Sequence, residues 1–357
     1  MGDINLKKIL ILTDYDDNFL ISIKKNKYVS MDVEKIKNFM ENIGYDVTVL
    51  QFSDIDFKKN YKDYYVLYQS SELIGQFYKK YIEDIIYFLQ LSGAHVLPDY
   101  KYLKAHHNKG FMELIRSSFK DESLKTISSN YFGTSKEALK KIPKLPVVIK
   151  QISGSGSRGV YLAKTRTEYR KFVKKASRTI IGNGYINYHL TFVKNVVKNL
   201  LALISSKYEK NNIEKIDRPI IVQKFIPNLA GDYKVLYFGG KYYTLFRKNR
   251  KNDFRASGSG DFSEVKMEEN YPLLDFAEKV VKEIDFPILG LDIAFDGTRF
   301  HLIEFQMLHI GPYTLQNSNY YFIKKNNRWI RIDKKSDLEI EFARSICDFI
   351  KLKEKNK

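Results

Sequence analysis

The chain has 357 residues, 44% of them hydrophobic and 14% aromatic, and this composition excludes an intrinsically disordered protein. Lys and Arg number 60 against 42 Asp and Glu, which gives a net charge of +18 and favours anionic ligands. The single cysteine, Cys347, excludes an intramolecular disulfide and a multi-cysteine metal cluster, so we expect a reducing, cytoplasmic setting.

The positive charge has two interpretations. Basic residues are spread along the whole chain without a long basic tail, a helix-turn-helix pattern or a zinc pattern, so no specific nucleic-acid partner is expected. A solvated basic surface and an anion-binding face both explain the excess, and the sequence leaves both open. The histidines show no metal-ligand spacing, and we expect the adjacent pair His106 and His107 at the surface or behind the residues of a site.

The first hundred residues alternate between predicted strands and predicted helices. Strands are predicted at residues 8–12, 45–50, 64–68 and 95–97. Apolar residues at helical spacing follow Ser30, which we expect to cap a helix, and Gly44 supplies a left-handed end. A second helix is predicted over residues 74–88. This alternation predicts a small parallel sheet wrapped by helices.

Two further strands, at residues 146–150 and 160–163, flank a loop with the sequence Gln-Ile-Ser-Gly-Ser-Gly-Ser-Arg-Gly. Its small residues let backbone N–H groups approach phosphate oxygens closely, and Lys150 adds a charge at the end of the preceding strand. The pattern is not a Walker A motif, and a flexible hairpin tip is the alternative interpretation. The candidate phosphate-binding residues of the loop are Ser153, Gly154, Ser155, Gly156, Ser157 and Gly159.

Residues 177–217 indicate a helical insertion or lid. Its longest apolar stretch, residues 188–204, is interrupted by Lys194 and Lys198, so it predicts an amphipathic helix and not a membrane span. The chain then returns to predicted strands at residues 220–224, 233–238, 241–247, 288–295 and 299–305. Helices are predicted at residues 273–284 and 338–350.

Two acidic residues lie on the last pair of these strands. The turn signal Asp296-Gly297 predicts a hairpin that brings Asp292 close to Glu304, and Gln306 shares a face with Glu304 by period-two spacing. Two acids among apolar neighbours repel each other unless a positive charge lies between them. A magnesium ion, held by these oxygen ligands and by the phosphates of a nucleotide, is suitable as this positive charge. The alternative is a pair of solvent-facing acids on an edge hairpin.

In this order along the chain, these segments resemble the ATP-grasp superfamily, in the branch that contains the ribosomal-protein glutamate ligase, glutathione synthetase and D-alanine–D-alanine ligase. The resemblance spans residues 97–315. It implies that Lys150 and Lys109, the latter opening a helix after Asn108, contact the phosphates of ATP. It also implies an adenine-binding strand with the residues Gln223, Lys224, Phe225 and Ile226.

The resemblance also extends to the acidic and basic residues that follow. Gly231–Lys234 matches a Gly-x-Asp-x-Arg segment of the family with a shift of one position, so that Asp232 stands for its acid and Lys234 for its arginine. Arg247 and Arg255 match the arginines that bind phosphates and the intermediate, and they are the catalytic candidates. The metal ligands of the family are matched by Asp292, Glu304 and Gln306, with Gln in place of Asn. Residues 307–312 replace the segment Asn-Ser-x-Pro-Gly, which helps to build the acceptor site in relatives.

The resemblance implies an α/β and α+β architecture of three parts. These are an N-terminal parallel-sheet domain over residues 1–105, a central lid subdomain over 106–222 with its insertion at 177–217, and a C-terminal antiparallel-sheet subdomain over 223–357. ATP is expected between the last two.

The implied activity is a magnesium-dependent ligation, with manganese as the alternative metal. A carboxylate attacks the γ-phosphate, and an amine, or alternatively a thiol, captures the acyl-phosphate with release of ADP and phosphate. A kinase acting on an anionic metabolite and a non-catalytic nucleotide-binding protein are the alternatives. The expected partners are a small-molecule carboxylate and amine, and a homodimer stays open.

Overall fold

The computed structural model of the protein describes residues 6–19, 21–24, 27–71, 76–154, 159–177, 196–197, 200–201, 217–251, 253–255 and 261–356. The chain divides into two units by its internal contacts. The first unit combines Met1–Ser128 with Ile226–Lys357, and the second is Ser129–Phe225. The three-domain division expected from the sequence stays a prediction.

The N-terminal part of the first unit is built around a four-stranded parallel sheet. Its strands are β1 (Lys7–Thr13), β4 (Tyr45–Gln51), β5 (Tyr64–Tyr68) and β6 (His95–Leu97), in the order β4-β1-β5-β6. The central strands β1 and β5 are almost continuously apolar because both faces of a parallel sheet are covered. Between β1 and β4 lies a separate hairpin of β2 (Ile21–Lys24) and β3 (Lys27–Ser30).

Four helices accompany this sheet: α1 (Val33–Asn42), α2 (Gln76–Leu91), α3 (Tyr100–His107) and α4 (Lys109–Ser117). The prediction that Ser30 caps α1 is wrong. Asp32 caps α1 by accepting a hydrogen bond from the backbone N–H of Lys35 at 3.0 Å, while the Ser30 hydroxyl accepts one from the backbone N–H of Phe19. Asn108 separates α3 from α4 and caps α4.

The C-terminal part of the first unit contains a seven-stranded antiparallel sheet. Its strand order is β15-β14-β11-β12-β16-β17, and β13 pairs with β12. The strands are β11 (Gly231–Phe238), β12 (Lys241–Lys248), β13 (Phe262–Ser263), β14 (Ile288–Phe295), β15 (Phe300–Gln306), β16 (Tyr321–Lys325) and β17 (Arg328–Ile332). The helices are α7 (Met267–Ile284), α8 (Tyr313–Asn317) and α9 (Leu338–Lys355).

One continuous hydrophobic core joins the two sheets of the first unit. It contains Ile9 and Ile11 of the parallel sheet, Leu291 of the antiparallel sheet and Ile346 of α9, all of them buried. A hydrogen bond from the hydroxyl of Tyr45 to the backbone carbonyl of residue 347, at 3.2 Å, connects β4 to α9. This unit therefore forms a single packed body.

The second unit contains a four-stranded sheet of order β7-β10-β8-β9. Its elements are β7 (Ser129–Phe132), α5 (Ser135–Lys140), β8 (Val147–Gln151), β9 (Val160–Ala163), α6 (Arg166–Ser177) and β10 (Ile220–Lys224). The predicted insertion lies almost wholly outside the described residues. Across the described part of the chain, no helix has the length and apolar character needed to cross a membrane.

Candidate functional site

Six polar side chains share one face of the seven-stranded sheet. Antiparallel partners lie on the same face, and positions two apart along a strand do as well. The register pairs Asp232 with Arg247, Lys234 with Asp292, Asp292 with Glu304, and Gly290 with Gln306. We call the six side chains the polar face: Asp232, Lys234, Arg247, Asp292, Glu304 and Gln306.

Asp292 is held between two cations. The Nζ of Lys234 lies 3.0 Å from its Oδ1, and the Nη2 of Arg247 lies 2.8 Å from its Oδ2. Both contacts are ion pairs at hydrogen-bonding distance. Burial raises the pKa of Asp292, but Arg247 and Lys234 outweigh it and hold the pKa well below its ordinary value.

Asp232 has the opposite electrostatic balance. Its Oδ1 accepts a hydrogen bond of 2.6 Å from the Nε of Arg247. Burial and the negative charge of Asp292 raise the pKa of Asp232 to about 6. Burial lowers the pKa of Arg247, but Asp292 and Asp232 outweigh it and raise the pKa above its ordinary value, so Arg247 stays charged. Asp292 is therefore the stronger acid of the pair.

Glu304 lies at the end of the polar face nearest α4. Its Oε1 accepts a hydrogen bond of 2.8 Å from the Nε2 of Gln306, and the Nζ of Lys109 lies 3.9 Å from the same oxygen. Lys109 is the first residue of α4, as the resemblance implied for a lysine that opens this helix. The structure thus brings Lys109, Glu304 and Gln306 together.

The donor chemistry of the polar face fits a divalent cation that has further oxygen ligands. Asp292 and Glu304 offer carboxylate oxygens, and Gln306 offers an amide oxygen, which are the ligands that magnesium prefers. Within the described ranges, no group of three or more His, Cys, Asp or Glu forms a metal site on its own. Phosphates or waters would therefore have to complete the coordination.

The charges around these acids balance before any ligand binds. Three acids, Asp232, Asp292 and Glu304, are matched by three cations, Lys109, Lys234 and Arg247. A compact, partly desolvated group of opposite charges is stable only while each charge keeps its partner. An anionic ligand on the polar face would therefore bind the cations, while a cation would bind the acids.

The other catalytic candidate, Arg255, forms a local ion pair. Its Nε lies 2.9 Å from both carboxylate oxygens of Asp253, two residues earlier in the chain. The side-chain hydrogen bond from Arg255 outweighs burial and lowers the pKa of Asp253. The structure thus brings Arg247 to the polar face and gives Arg255 an acidic partner of its own.

The phosphate-binding candidates of the second unit lie around the β8–β9 hairpin. Lys150 pairs with Val160 in the register, and the backbone N–H of Gln151 donates to the carbonyl of Gly159 at 3.0 Å, which closes the hairpin. Gly159 has a φ of +74°, in the left-handed region that favours glycine. Ser153 and Gly154 are described, whereas the candidates Ser155, Gly156 and Ser157 lie outside the described residues.

The predicted adenine-binding segment follows β10. The side chain of Gln223 is buried and donates a hydrogen bond of 3.0 Å to the hydroxyl of Ser129 on β7. Lys224 is exposed at the end of the strand, and Phe225 is the last residue of the second unit. Ile226 is the first residue of the following segment of the first unit. The side chain of Gln223 thus stabilises the sheet of its own unit.

Sequence reasoning missed Lys234 and His107 as site residues. Lys234 follows Asp232 by two positions, so strand periodicity could have placed it on the same face. His107, expected at the surface or behind a site, lies largely buried between Ser70 and Glu83. These two contacts of His107 depend on how α2, α3 and the end of β5 pack together, so the sequence did not reveal them.

Comparison with known proteins identifies the fold. No protein-family model matches the chain, and no curated protein matches its sequence. The structure is similar to a D-alanine–D-alanine ligase from Bacillus anthracis, at 12% sequence identity and a TM-score of 0.51, over 98% of this chain and 99% of that chain. D-alanyl-alanine synthetase A from Vibrio cholerae matches at 10% identity and a TM-score of 0.51, over 97% of this chain and 98% of that chain.

A third solved structure, D-cycloserine synthetase, matches at 10% identity and a TM-score of 0.50, over 96% of this chain and 99% of that chain. At such low identity these similarities establish the fold and not the activity. The chain has the ATP-grasp fold, and the fold predicted from the sequence is confirmed.

Proposed function

We propose that the protein is an ATP-dependent ligase that joins the carboxylate of one small molecule to the amine of another. The observation that carries the proposal is the polar face, where Lys109, Lys234 and Arg247 surround Asp292 and Glu304. Phosphoryl transfer is catalysed mainly by positioning and by neutralisation of charge, and these groups are suited to both. The fold is shared with two D-alanine-joining enzymes and a D-cycloserine synthetase, which supports small amino-acid-like substrates.

In the proposed reaction, the substrate carboxylate attacks the γ-phosphate of ATP and forms an acyl-phosphate and ADP. Lys109, Lys234 and Arg247 of the first unit neutralise phosphate charge, and Lys150 stays a phosphate-binding candidate from the sequence. Asp292, Glu304 and Gln306 would hold magnesium, or manganese as the alternative, which adds positive charge beside the phosphates when bound. The amine then attacks the acyl carbon, and phosphate leaves.

Within this proposal, the cations of the polar face change partners when nucleotide binds. Lys234 and Arg247 contact Asp292 in the structure through ion pairs. Phosphate oxygens would give both cations an alternative partner, and Asp292 would then be available to a metal. The cytoplasmic setting and the homodimer expected from the sequence belong to the same proposal.

The test is a screen for ADP release with ATP, magnesium, and pairs of amino acids of both enantiomers, followed by mass analysis of the product. A ligase product has the combined mass of acid and amine less one water, whereas a kinase product keeps the phosphoryl group. The Glu304→Gln variant is expected to release no ADP, because it removes a charged ligand of the proposed metal site. Glu122→Gln, at an exposed glutamate of the same unit, is the matched control and keeps the wild-type rate.

Equal ADP release by wild type and Glu304→Gln would contradict the proposed metal site. A phosphorylated product would show that the protein is a kinase and would contradict the proposed ligase function. Absence of ADP release by wild type with every pair would overturn the enzymatic function.

A further inference from the structure

A second group of buried polar residues lies at the carboxyl edge of the parallel sheet. The last residue of β1 is Thr13, and Asp14 follows it. Directly after β5 come Gln69, Ser70 and Ser71. All five are buried. Ligands of open α/β sheets bind outside the carboxyl ends of their strands, because the loops there diverge and leave polar groups facing a crevice. This edge is therefore a suitable substrate-binding region.

Three side chains from different elements form a hydrogen-bonded chain at this edge. The Oγ of Ser70, after β5, lies 2.6 Å from the Nε2 of His107 at the end of α3. The Nδ1 of the same ring lies 2.8 Å from Oε1 of Glu83 on α2. A hydroxyl, an imidazole and a carboxylate at these distances can transfer a proton along the chain. We call Ser70, His107 and Glu83 the proton array.

The hydrogen bonds assign the protons in the array. A carboxylate accepts only, so Glu83 accepts from the Nδ1–H of His107. In the neutral imidazole, Nε2 is then an acceptor, and the hydroxyl of Ser70 donates to it. The remaining lone pairs of the Ser70 oxygen can accept a hydrogen bond from a ligand. When a proton reaches Nε2, the charge of Glu83 stabilises the imidazolium.

Two short stretches of chain connect the array to the polar face. His107 precedes Lys109 by two residues, and the Nζ of Lys109 lies 3.9 Å from Oε1 of Glu304. On the other side, His309 follows Gln306 by three residues, and its Nε2 contacts the backbone carbonyl of Ser70. The ring of His309 also stacks on the ring of the preceding histidine of α3, His106, at a centroid distance of 5.3 Å.

The segment that carries His309 is fixed by packing. Leu308 is buried in the hydrophobic cluster that also holds residues of β1 and β5. The backbone N–H of His309 donates to Oε1 of Gln69 at 3.4 Å. The array is therefore held at a defined place beside the polar face, within the same unit of the protein.

We propose that the array accepts the proton of the amine substrate. This inference rests on the proposed ligase function. An ammonium group has no lone pair for attack on an acyl carbon, so it must lose a proton first. The ammonium donates a proton to the Ser70 oxygen while the Ser70 hydroxyl proton moves to Nε2 of His107. Ser70 is thus the residue that touches the amine, His107 is the base, and Glu83 is a positioning residue.

Formation of the C–N bond and release of phosphate follow this proton transfer. The lone pair of the neutral amine forms the C–N bond with the acyl carbon, and the C–O bond to phosphate breaks. Phosphate leaves with the electron pair of that bond and takes the second proton of the attacking nitrogen. The imidazolium of His107 then returns its proton to solvent through Ser70. No oxidant, reductant or further reactant is required.

The test compares two acceptors for the same acyl-phosphate. Hydroxylamine is largely unprotonated at neutral pH and forms a hydroxamate without a base, whereas an amino acid presents an ammonium group. The carboxylate substrate is the acid that gives most hydroxamate with wild type, ATP and magnesium, and the amino-acid acceptor is the best one of the ADP-release screen. The measured quantity is the rate of amide formation divided by the rate of hydroxamate formation.

In His107→Gln this ratio is expected to fall by about 100-fold, the lower range of general base catalysis. Ser70→Ala is expected to lower the ratio of amide to hydroxamate formation to a similar extent. Glu83→Gln should lower this ratio less, because the glutamine still accepts a hydrogen bond from the Nδ1–H of His107 but lacks the negative charge. His95→Gln, on β6 and outside the array, is the matched control and keeps the wild-type ratio. Amide formation by His107→Gln should recover as the pH is raised, because more of the free amine is then unprotonated.

An unchanged ratio in a folded His107→Gln protein overturns the inference, and so does an equal loss of amide and hydroxamate. Wild type that forms neither product with any acid overturns the ligase function, and this inference with it. The two failures are therefore distinguishable.

Discussion

The guanidinium of Arg247 reaches across an intervening strand to Asp292. Arg247 lies on β12 and Asp292 on β14, with β11 between them, and Nη2 is 2.8 Å from Oδ2. Lys234, on the intervening strand, contacts the other oxygen of the same carboxylate. Three adjacent strands thus converge on one acid, and the polar face behaves as one electrostatic unit.

The first prediction concerns the unequal roles of the two acids in this unit. Asp292→Asn is expected to destabilise the protein by about 3–5 kcal/mol, because it leaves Lys234 and Arg247 partly buried without their common partner. Asp232→Asn should cost less, since burial already disfavours the charged form of Asp232. Urea unfolding at pH 7 measures the loss of stability in each variant. A larger loss in Asp232→Asn than in Asp292→Asn would contradict this assignment.

The second prediction is the pH dependence that Asp232 contributes. Its pKa is about 6 in the folded protein and 3.8 ordinarily, so the folded state holds the proton more tightly. Between these values the folded state binds more protons than the unfolded state, and the contribution of Asp232 to stability rises as the pH falls through about 6. The free energy of unfolding of wild type minus that of Asp232→Asn should therefore increase from pH 7 to pH 5. A difference that decreases over this range would show that Asp232 is not the raised acid.

The third prediction concerns nucleotide binding by the second unit. Lys150→Ala is expected to weaken ATP binding by about 1.5–3 kcal/mol, the scale of a lost charged hydrogen bond. Lys164→Ala, at an exposed lysine directly after β9, is the matched control and should bind ATP normally. Calorimetric titration with ATP compares the affinities of the two folded variants with that of wild type. Unchanged affinity in Lys150→Ala would remove this lysine from the proposed phosphate site.

The fourth prediction concerns the glutamine that replaces the asparagine of the family. Gln306 donates its amide hydrogen to Glu304 at 2.8 Å, so its oxygen is available as a neutral ligand. Gln306→Asn should keep turnover, because the amide oxygen remains. Magnesium should bind to wild type only when nucleotide is present, since phosphates complete the coordination. Tight magnesium binding without nucleotide in a titration would contradict this site.

The fifth prediction concerns the close approach of the segment after β15 to β14. A Cβ at Gly290 would lie 2.8 Å from the backbone oxygen of Ile310, so only glycine fits without a shift. Gly290→Ala is expected to destabilise the protein by about 1–3 kcal/mol, the usual cost of overpacking. It should also displace His309 from Ser70. Thermal unfolding measures the first effect, and a crystal structure of the variant with an undisturbed His309 would contradict the second.

Local patterns in the sequence correctly predicted several elements that carry the polar face. Period-two alternation and the turn at Asp296-Gly297 predicted β14 and β15, and their register indeed pairs Asp292 with Glu304. The strands of the parallel sheet followed from apolar runs, whereas the opening of α4 at Lys109 was implied by the family resemblance. The cap at Ser30 was wrong because Asp32, two residues later, competes for the same role and lies directly before the helix.

The sequence by itself determined the N-terminal parallel sheet and the hairpin of acids, because helix periods, strand alternation and turns are properties of neighbouring residues. The resemblance to the ATP-grasp superfamily implied the fold as a whole. Tertiary structure alone decided which charges meet. Arg247 reaches Asp292 only because the sheet orders β14, β11 and β12 side by side, and this order depends on the packing of the whole unit. The contact of Ser70 with His107, 37 positions apart, likewise arises because α3 docks beside the end of β5, and no local pattern encodes that distance.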